Sequence, residues 1–273
     1  MRYKHLFFDW DHTLWDFEKN SEMSLRNLFK DLGLQALGIP SFELFFEKYI
    51  VINDLKWDLY RQGKITKQGL RESRFQETFA HFSIEANDVA WTLETRYIDE
   101  TPYQNHLIDG ARNVLEMLKA RGYKMHIITN GFHESQNIKF AESGLEPLFD
   151  VLLCSDQVGV NKPDAKIFRR ALQLAGADRK ESLMIGDNLI ADCVGAREQG
   201  IDQVFFNPKV TTAGILCILA GSCRTTTAIC FGTSLSFSQQ TPGRKTLEMR
   251  ALDFEKGNGA WRFWAMMPPT SQL

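Results

Sequence analysis

Five short runs rich in aliphatic, β-branched and aromatic residues are spaced along the chain, with stretches of helical periodicity between them. They are KHLFF (4–8), KMHIIT (124–129), DVLLC (150–154), SLMIG (182–186) and DQVFF (202–206). In DGARNVLEMLKARG, residues Ala111, Val114, Leu115 and Leu118 share one helix face, and Gly122 can end the helix. In DAKIFRRALQLAG, residues Ile167, Phe168, Ala171, Leu172 and Ala175 do the same. Residues 133–143 and 191–199 supply the remaining helical stretches. Strands that alternate with helices imply right-handed crossovers and a parallel sheet with helices on both faces.

One interval breaks the rhythm. A strand–helix–strand unit takes about 30 residues, yet residues 9–123, 115 in all, separate the first two runs. The surplus reads as four helices: SEMSLRNLFKDLG, SFELFFEKYIVINDLKWDLYRQG, TKQGLRESRFQETFAHF and IEANDVAWTLETRYIDE. A helical domain inserted after the first strand, over residues 16–100, is the expected organisation.

The formal net charge of −2 gives no pull toward nucleic acid polymers or anionic membranes. Asp9 and Asp11 interrupt any apolar leader segment, and the longest membrane-like run of the tail, AGILCILAG, has nine residues where a span needs about 20. Five cysteines without a CxxC pair predict neither a disulfide framework nor a zinc site, so a reducing cytoplasm is the expected location. The average charge conceals a break near residue 208: the chain before it carries a net −6, the tail a net +4 with three of the five cysteines.

In an open parallel sheet, ligands bind beyond the carboxyl ends of the strands. Asp9 and Asp11 follow the first run, Thr129 and Asn130 the second, SDQVGVNKPD with Lys162 the third, and Asp187 and Asp192 the fourth. Each alone is more simply a turn or cap residue. Four carboxylates, a hydroxyl and an ammonium at four strand ends suit phosphoryl transfer. Crowded carboxylates need a hard cation, and Mg²⁺ takes one or two of them together with water and phosphate oxygen. An aspartate can act as covalent nucleophile through an aspartyl-phosphate. A second carboxyl two residues on faces the same way along an extended segment and can exchange protons with the leaving group.

Asp9-x-Asp11-x-Thr13, Thr129, Lys162-Pro163 and Gly186-Asp187-x4-Asp192 resemble the four motifs of the haloacid dehalogenase (HAD) superfamily, over about residues 1–208. The resemblance implies an α/β fold: a Rossmann-like, doubly wound parallel sheet core with an inserted all-helical cap. Residues 1–15 and 101–208 would form the core and 16–100 the cap. It implies a Mg²⁺-dependent phosphatase. Asp9 is then nucleophile and metal ligand, Asp11 general acid/base with its backbone carbonyl on the metal, Thr129, Asn130 and Lys162 phosphate-binding, and Asp187 and Asp192 metal-binding. The wording FFDWDHTLWDFEKN, ITNGF and IGDNLIADCVGA is most similar to pyrimidine-type 5′-nucleotidases, which makes a nucleoside monophosphate the expected substrate. A sugar phosphate is the alternative substrate, and a non-catalytic HAD-fold binding protein the alternative class. Dehalogenation needs neither Asp11 nor Asp187 for its chemistry.

Trp10, Trp15 and Phe17 crowd the reactive turn, where packing is a more ordinary role for them than stacking on a base. Phe132 and His133 are further candidates for the mouth of the site. Residues 209–273 lack the strand-and-helix ending usual in the family. Their composition predicts a foreign or frame-shifted extension.

Overall fold

The computed structural model describes residues 2–207 and 226–229. In chain order the strands are β1 (His5–Phe8), β2 (Lys124–Thr129), β3 (Val151–Cys154), β4 (Ser182–Gly186), β5 (Asp202–Phe206) and β6 (Thr226–Ile229). The helices are α1 (Phe17–Asp31), α2 (Phe42–Arg61), α3 (Lys67–His81), α4 (Asn87–Glu100), α5 (Ala111–Ala120), α6 (His133–Glu142), α7 (Ser155–Val158), α8 (Ala165–Ala175) and α9 (Gly195–Glu198). Of residues 191–199, expected as one helical stretch, the first four belong to a π-helical turn over Leu189–Val194 that leads into α9.

The strands make one parallel sheet in the order β3-β2-β1-β4-β5-β6. The chain runs outward from β1 to β2 and β3, then returns to the other side of β1 for β4 and β5. The order therefore reverses at β1 and β4, the place where a crevice opens beyond the strand ends in doubly wound sheets. This is the α/β fold that the spacing of the strand runs predicts. The sheet interior is apolar: Phe7, Ile128, Leu153 and Met184 pack with Ile167, Phe168 and Ala171 of α8. Asp164 caps α8 by accepting from the Lys166 N–H. The tail is described only at β6, a strand its composition does not announce; the expectation of an extraneous extension otherwise falls on residues outside the description.

Two buried histidines lie side by side in this sheet. His5 Nδ1 and His126 Nε2 are 3.0 Å apart, so one donates and the other accepts. The remaining ring nitrogen of His126, Nδ1, is buried without a hydrogen-bond partner among the described residues. Burial lowers both pKa values, and His126 is pushed down to about 4 from an ordinary 6.5. Lys124, Lys4 and Lys119 add to the depression, while Asp150 and Glu181 oppose it. Groups whose folded pKa is depressed in this way bind protons more readily when unfolded, so stability is full above pH 6.5 and declines as the pH falls toward 4. Asp9 and Asp187, whose pKa values are raised, act in the opposite sense, so the comparison is between wild type and His126→Leu: the variant is expected to lose less of its urea midpoint, or to gain more, between pH 6.5 and 5. A variant whose midpoint changes with pH as wild type's does would contradict the expectation.

By its internal contacts the chain divides into two compact units. The first holds the chain up to Leu14, Leu107–Thr129 and the chain from Pro147 on, and so contains the sheet. The second holds Trp15–His106 and Asn130–Glu146. The four helices read from the surplus segment are α1–α4 of this unit. Strand–helix alternation alone would count α6 with the sheet, whereas its contacts place it with the helices.

Asp16, Ser41 and Thr66 cap α1, α2 and α3 by accepting from backbone N–H groups three residues on. The core of the helical unit includes Leu25, Leu28, Phe45, Tyr49, Phe75, Phe79 and Leu93. Within it runs a buried polar network. Arg74 donates to both Glu94 oxygens, from Nε at 2.6 Å and Nη2 at 2.9 Å, and to Asn53 Oδ1 at 3.2 Å. Its guanidinium also lies 4.9 Å from the Tyr97 ring centroid, and the Tyr97 hydroxyl is 2.7 Å from Ser21 Oγ. The network ties α1, α2, α3 and α4 together through groups that would be costly to bury singly. No described helix is long and apolar enough to cross a membrane.

Candidate active site

The site is built at the reversal of the sheet. The Asp9 N–H donates to Ile185 O at 2.9 Å, which continues the β1–β4 ladder past the end of β1 and fixes the carboxylate beside β4. The chain then turns sharply. Thr13 and Leu14 N–H groups donate to Trp10 O, and His12 adopts φ +63°. Histidine enters this left-handed region more readily than most residues with a Cβ. The turn brings Thr13 back so that its hydroxyl donates to Asp187 Oδ1 at 3.2 Å. Trp10 is 1% exposed and Trp15 is fully buried, its indole N–H on Gln104 O; both are packing residues and offer no stacking face.

Lys162 is the electrostatic centre of the cluster. It is 1% exposed, and its ammonium donates to Asp9 Oδ1 at 2.6 Å, Asp192 Oδ1 at 2.6 Å and Ile128 O at 2.7 Å. Three donors meet three acceptors, so the side chain is fully satisfied. Burial disfavours its charge, but the two carboxylates outweigh burial and raise its pKa; it stays an ammonium. Ile128 immediately precedes Thr129, itself 1% exposed at the end of β2. The bond to Ile128 O thus places the ammonium beside that strand end. Asn130 is the next residue and is partly exposed.

Asp9, Asp187 and Asp192 each offer a carboxylate oxygen, all within 4.8 Å of one another. Burial pushes the Asp9 carboxyl up to about 7; Lys162 opposes that push, and Asp192 and Asp11 add to it. Asp187 is raised by burial first, then by Asp9 and Asp192. One ammonium cannot offset three carboxylates, and a hard cation with oxygen preference would meet the deficit. Mg²⁺ therefore fits this donor set. Asp192 differs from the other two. Its Oδ1 accepts from Lys162 and its Oδ2 from the Asn188 N–H at 2.9 Å, so both oxygens are engaged. Asn188 in turn accepts from the Ile190 and Ala191 N–H groups, which locks the π-helical turn.

Gly186 makes this arrangement sterically feasible. A Cβ there would lie 2.3 Å from Asp192 Oδ2 and 2.8 Å from its Cβ. Gly186→Ala is expected to expel the Asp192 carboxylate from Lys162, lowering stability by about 1–3 kcal/mol and turnover by at least about tenfold. Melting curves and steady-state kinetics would check it, and unchanged turnover would remove Asp192 from the account. Gly131 is similarly constrained, since a Cβ there would fall 1.6 Å from the Gln136 amide nitrogen.

The structure thus gathers Asp9, Lys162, Asp187 and Asp192 and couples Asp11 to Asp9. Sequence reasoning did not give Thr13 a site role, nor the Ile128 carbonyl or the Asn188 N–H. Thr13 was within reach, since it stands at a fixed offset from Asp9. The two backbone groups have no side-chain signature.

This fold with this cluster defines a class. The sequence model of the haloacid dehalogenase-like hydrolase family matches residues 3–200, and the chain belongs to that family. Among individual proteins, it is 35% identical to pyrimidine 5′-nucleotidase PynA of Streptococcus pneumoniae over 209 residues, which cover 76% of this chain and 85% of that one. It is 31% identical to pyrimidine 5′-nucleotidase YjjG of Escherichia coli, covering 76% and 87%. The magnesium-bound structure of the HAD-hydrolase YfnB from Bacillus subtilis superposes with a TM-score of 0.70 at 29% identity, over 79% of this chain and 93% of that one.

Proposed function

We propose that the protein is a Mg²⁺-dependent phosphatase of nucleoside 5′-monophosphates, with pyrimidine nucleotides as substrates. The observation that carries the reading is the buried Asp9 carboxylate held at 2.6 Å by the Lys162 ammonium beside two further carboxylates. The identity to two pyrimidine 5′-nucleotidases supports the substrate class.

Asp9 attacks phosphorus through a carboxylate oxygen, and the ester P–O bond breaks. Asp11 gives its proton to the departing nucleoside oxygen. Asp11 then takes a proton from water as that water attacks phosphorus, and the P–O bond to Asp9 breaks to release phosphate. Lys162, Thr129 and Asn130 hold the phosphoryl oxygens on which charge develops. Lys162 also favours the ionised form of Asp9 and so opposes burial. Asp9, Asp187 and the Asp11 backbone carbonyl would hold Mg²⁺, with Asp192 supporting the set from behind Lys162. The bound ion reduces repulsion between the carboxylate nucleophile and the phosphate dianion. The sheet unit is the catalytic core and the helical unit the cap that selects the substrate. The proposed setting is the cytoplasm, with a small phosphorylated metabolite as the partner.

A phosphatase panel of UMP, dUMP, dTMP, ribose 5-phosphate and other sugar phosphates tests the proposal. Phosphate release is expected with Mg²⁺ and is expected to fall to background after EDTA, returning on re-addition of the ion. Turnover insensitive to chelation would overturn the metal assignment. Release from sugar phosphates but from no nucleotide would overturn the substrate class.

A further inference from the structure

Gly195 ends the π-helical turn that carries Asp192 and opens α9. Its φ of −57° and ψ of −48° are helical values open to any residue. Alanine is ordinarily favoured over glycine in such a conformation. The backbone therefore gives no reason for a glycine here, but the surroundings do. A Cβ at this buried position would lie 2.7 Å and 2.8 Å from the ring end of Phe168 and 2.9 Å from Pro163 Cβ. Neither neighbour is the yielding tip of a flexible chain. Phe168 is fully buried in the apolar core of the sheet unit, and Pro163 is a closed ring.

Pro163 is also fixed along the chain. The Asp164 N–H donates to Asn161 O at 2.9 Å, which closes a turn over Lys162 and Pro163, and Asp164 caps α8. A group that pushes on Pro163 thus pushes on Lys162. Across the contact, Asp192 belongs to the turn that Gly195 ends, and Asn188 locks the start of that turn. Gly195 and Pro163 therefore mark where the backbone carrying Lys162 and the backbone carrying Asp192 come together. Beside them, the Lys162 ammonium reaches Asp192 Oδ1 at 2.6 Å. All of these residues lie in the sheet unit.

Resting on the phosphatase reading, we infer that Gly195 is a positioning residue: its missing side chain sets how closely the Lys162–Pro163 segment approaches the Asp192 turn, and so aims the Lys162 ammonium at Asp9 and the phosphoryl group. Lys162 acts where charge develops in the transition state. Its displacement is therefore read in kcat more than in KM.

The test is a cycle of Gly195→Ala, Phe168→Leu and the double variant, assayed with Mg²⁺ and the phosphate ester that wild type turns over fastest. Gly195→Ala is expected to lower kcat about tenfold or more, with KM within about threefold. Phe168→Leu is expected to lower the melting temperature through lost packing, with kcat within about twofold of wild type. In the double variant the ring end is gone but the Pro163 contact remains, so kcat is expected to stay low. The double variant carries the same readouts where Gly195→Ala alone does not fold. A crystal structure of Gly195→Ala, or of the double variant, gives a measure independent of turnover: the distance from Lys162 Nζ to Asp192 Oδ1 is expected to exceed about 3.5 Å. An unchanged distance, an unchanged kcat, or a kcat restored by Phe168→Leu overturns the inference and makes Gly195 a packing residue alone. A wild type that hydrolyses no phosphate ester overturns the phosphatase reading, and the crystallographic distance then decides the positioning by itself.

Discussion

Asp9→Asn is expected to remove turnover, by about 10³-fold or more, while the protein stays folded. The amide matches the carboxylate in shape and still accepts from Lys162 through its oxygen, so the hydrogen bond of 2.6 Å has a substitute. It cannot form the acyl phosphate. The same change removes one of three crowded negative charges. Burial and the neighbouring Asp192 and Asp11 already press Asp9 toward its neutral form, and a neutral side chain relieves that pressure. Melting temperature is therefore expected to be unchanged or raised, and this pairing of lost activity with retained stability is what a nucleophile should give. Activity equal to wild type would remove Asp9 from its role. Loss of activity together with loss of the folded state would show that the carboxylate is needed for structure.

The second large effect lies away from the chemistry. Arg74→Met is expected to lower stability by about 3–5 kcal/mol. Arg74 is 4% exposed and Glu94 1% exposed, and the guanidinium supplies both close partners of that carboxylate. Removing the cation leaves a buried charge with, among the described residues, only the longer Arg71 contact at 3.5 Å. The double variant Arg74→Met, Glu94→Leu is expected to recover much of the loss, because an apolar pair of similar volume avoids the desolvation of both ions. Urea unfolding of the single and double variants measures the difference. A single-variant loss below about 1 kcal/mol would mean that water or a rearranged partner reaches Glu94.

How far the sequence reveals this molecule depends on whether the relevant signal is local. The strands announce themselves through short apolar runs such as KMHIIT, and α5 and α8 through apolar residues at helical spacing. Asp9, Lys162, Asp187 and Asp192 are legible for a related reason: the fold puts strand ends together, so polar residues after strands become neighbours. What escaped was pairwise and distant. His5 and His126 stand 121 residues apart, and only the register that sets Phe7 beside His126 brings their rings together. Trp57 carries no sign that it meets Phe132. The engagement of both Asp192 oxygens depends on a backbone N–H and on the missing Cβ of Gly186, neither of which has a side chain to read. The place of α6 is a contact property too, since its periodicity suits a sheet-flanking helix equally well.

That last feature bears on how the chain can be cut. The path passes from one unit to the other after Leu14, His106, Thr129 and Glu146. The helical unit is consequently no transferable cassette. Excising 15–106 as a single block would leave α6 stranded, stripped of the Thr101–Tyr103 turn against which it packs. A graft of this unit onto a relative would have to carry 130–146 as a second piece, with both splice joints of that piece flanking the loop that begins at Asn130.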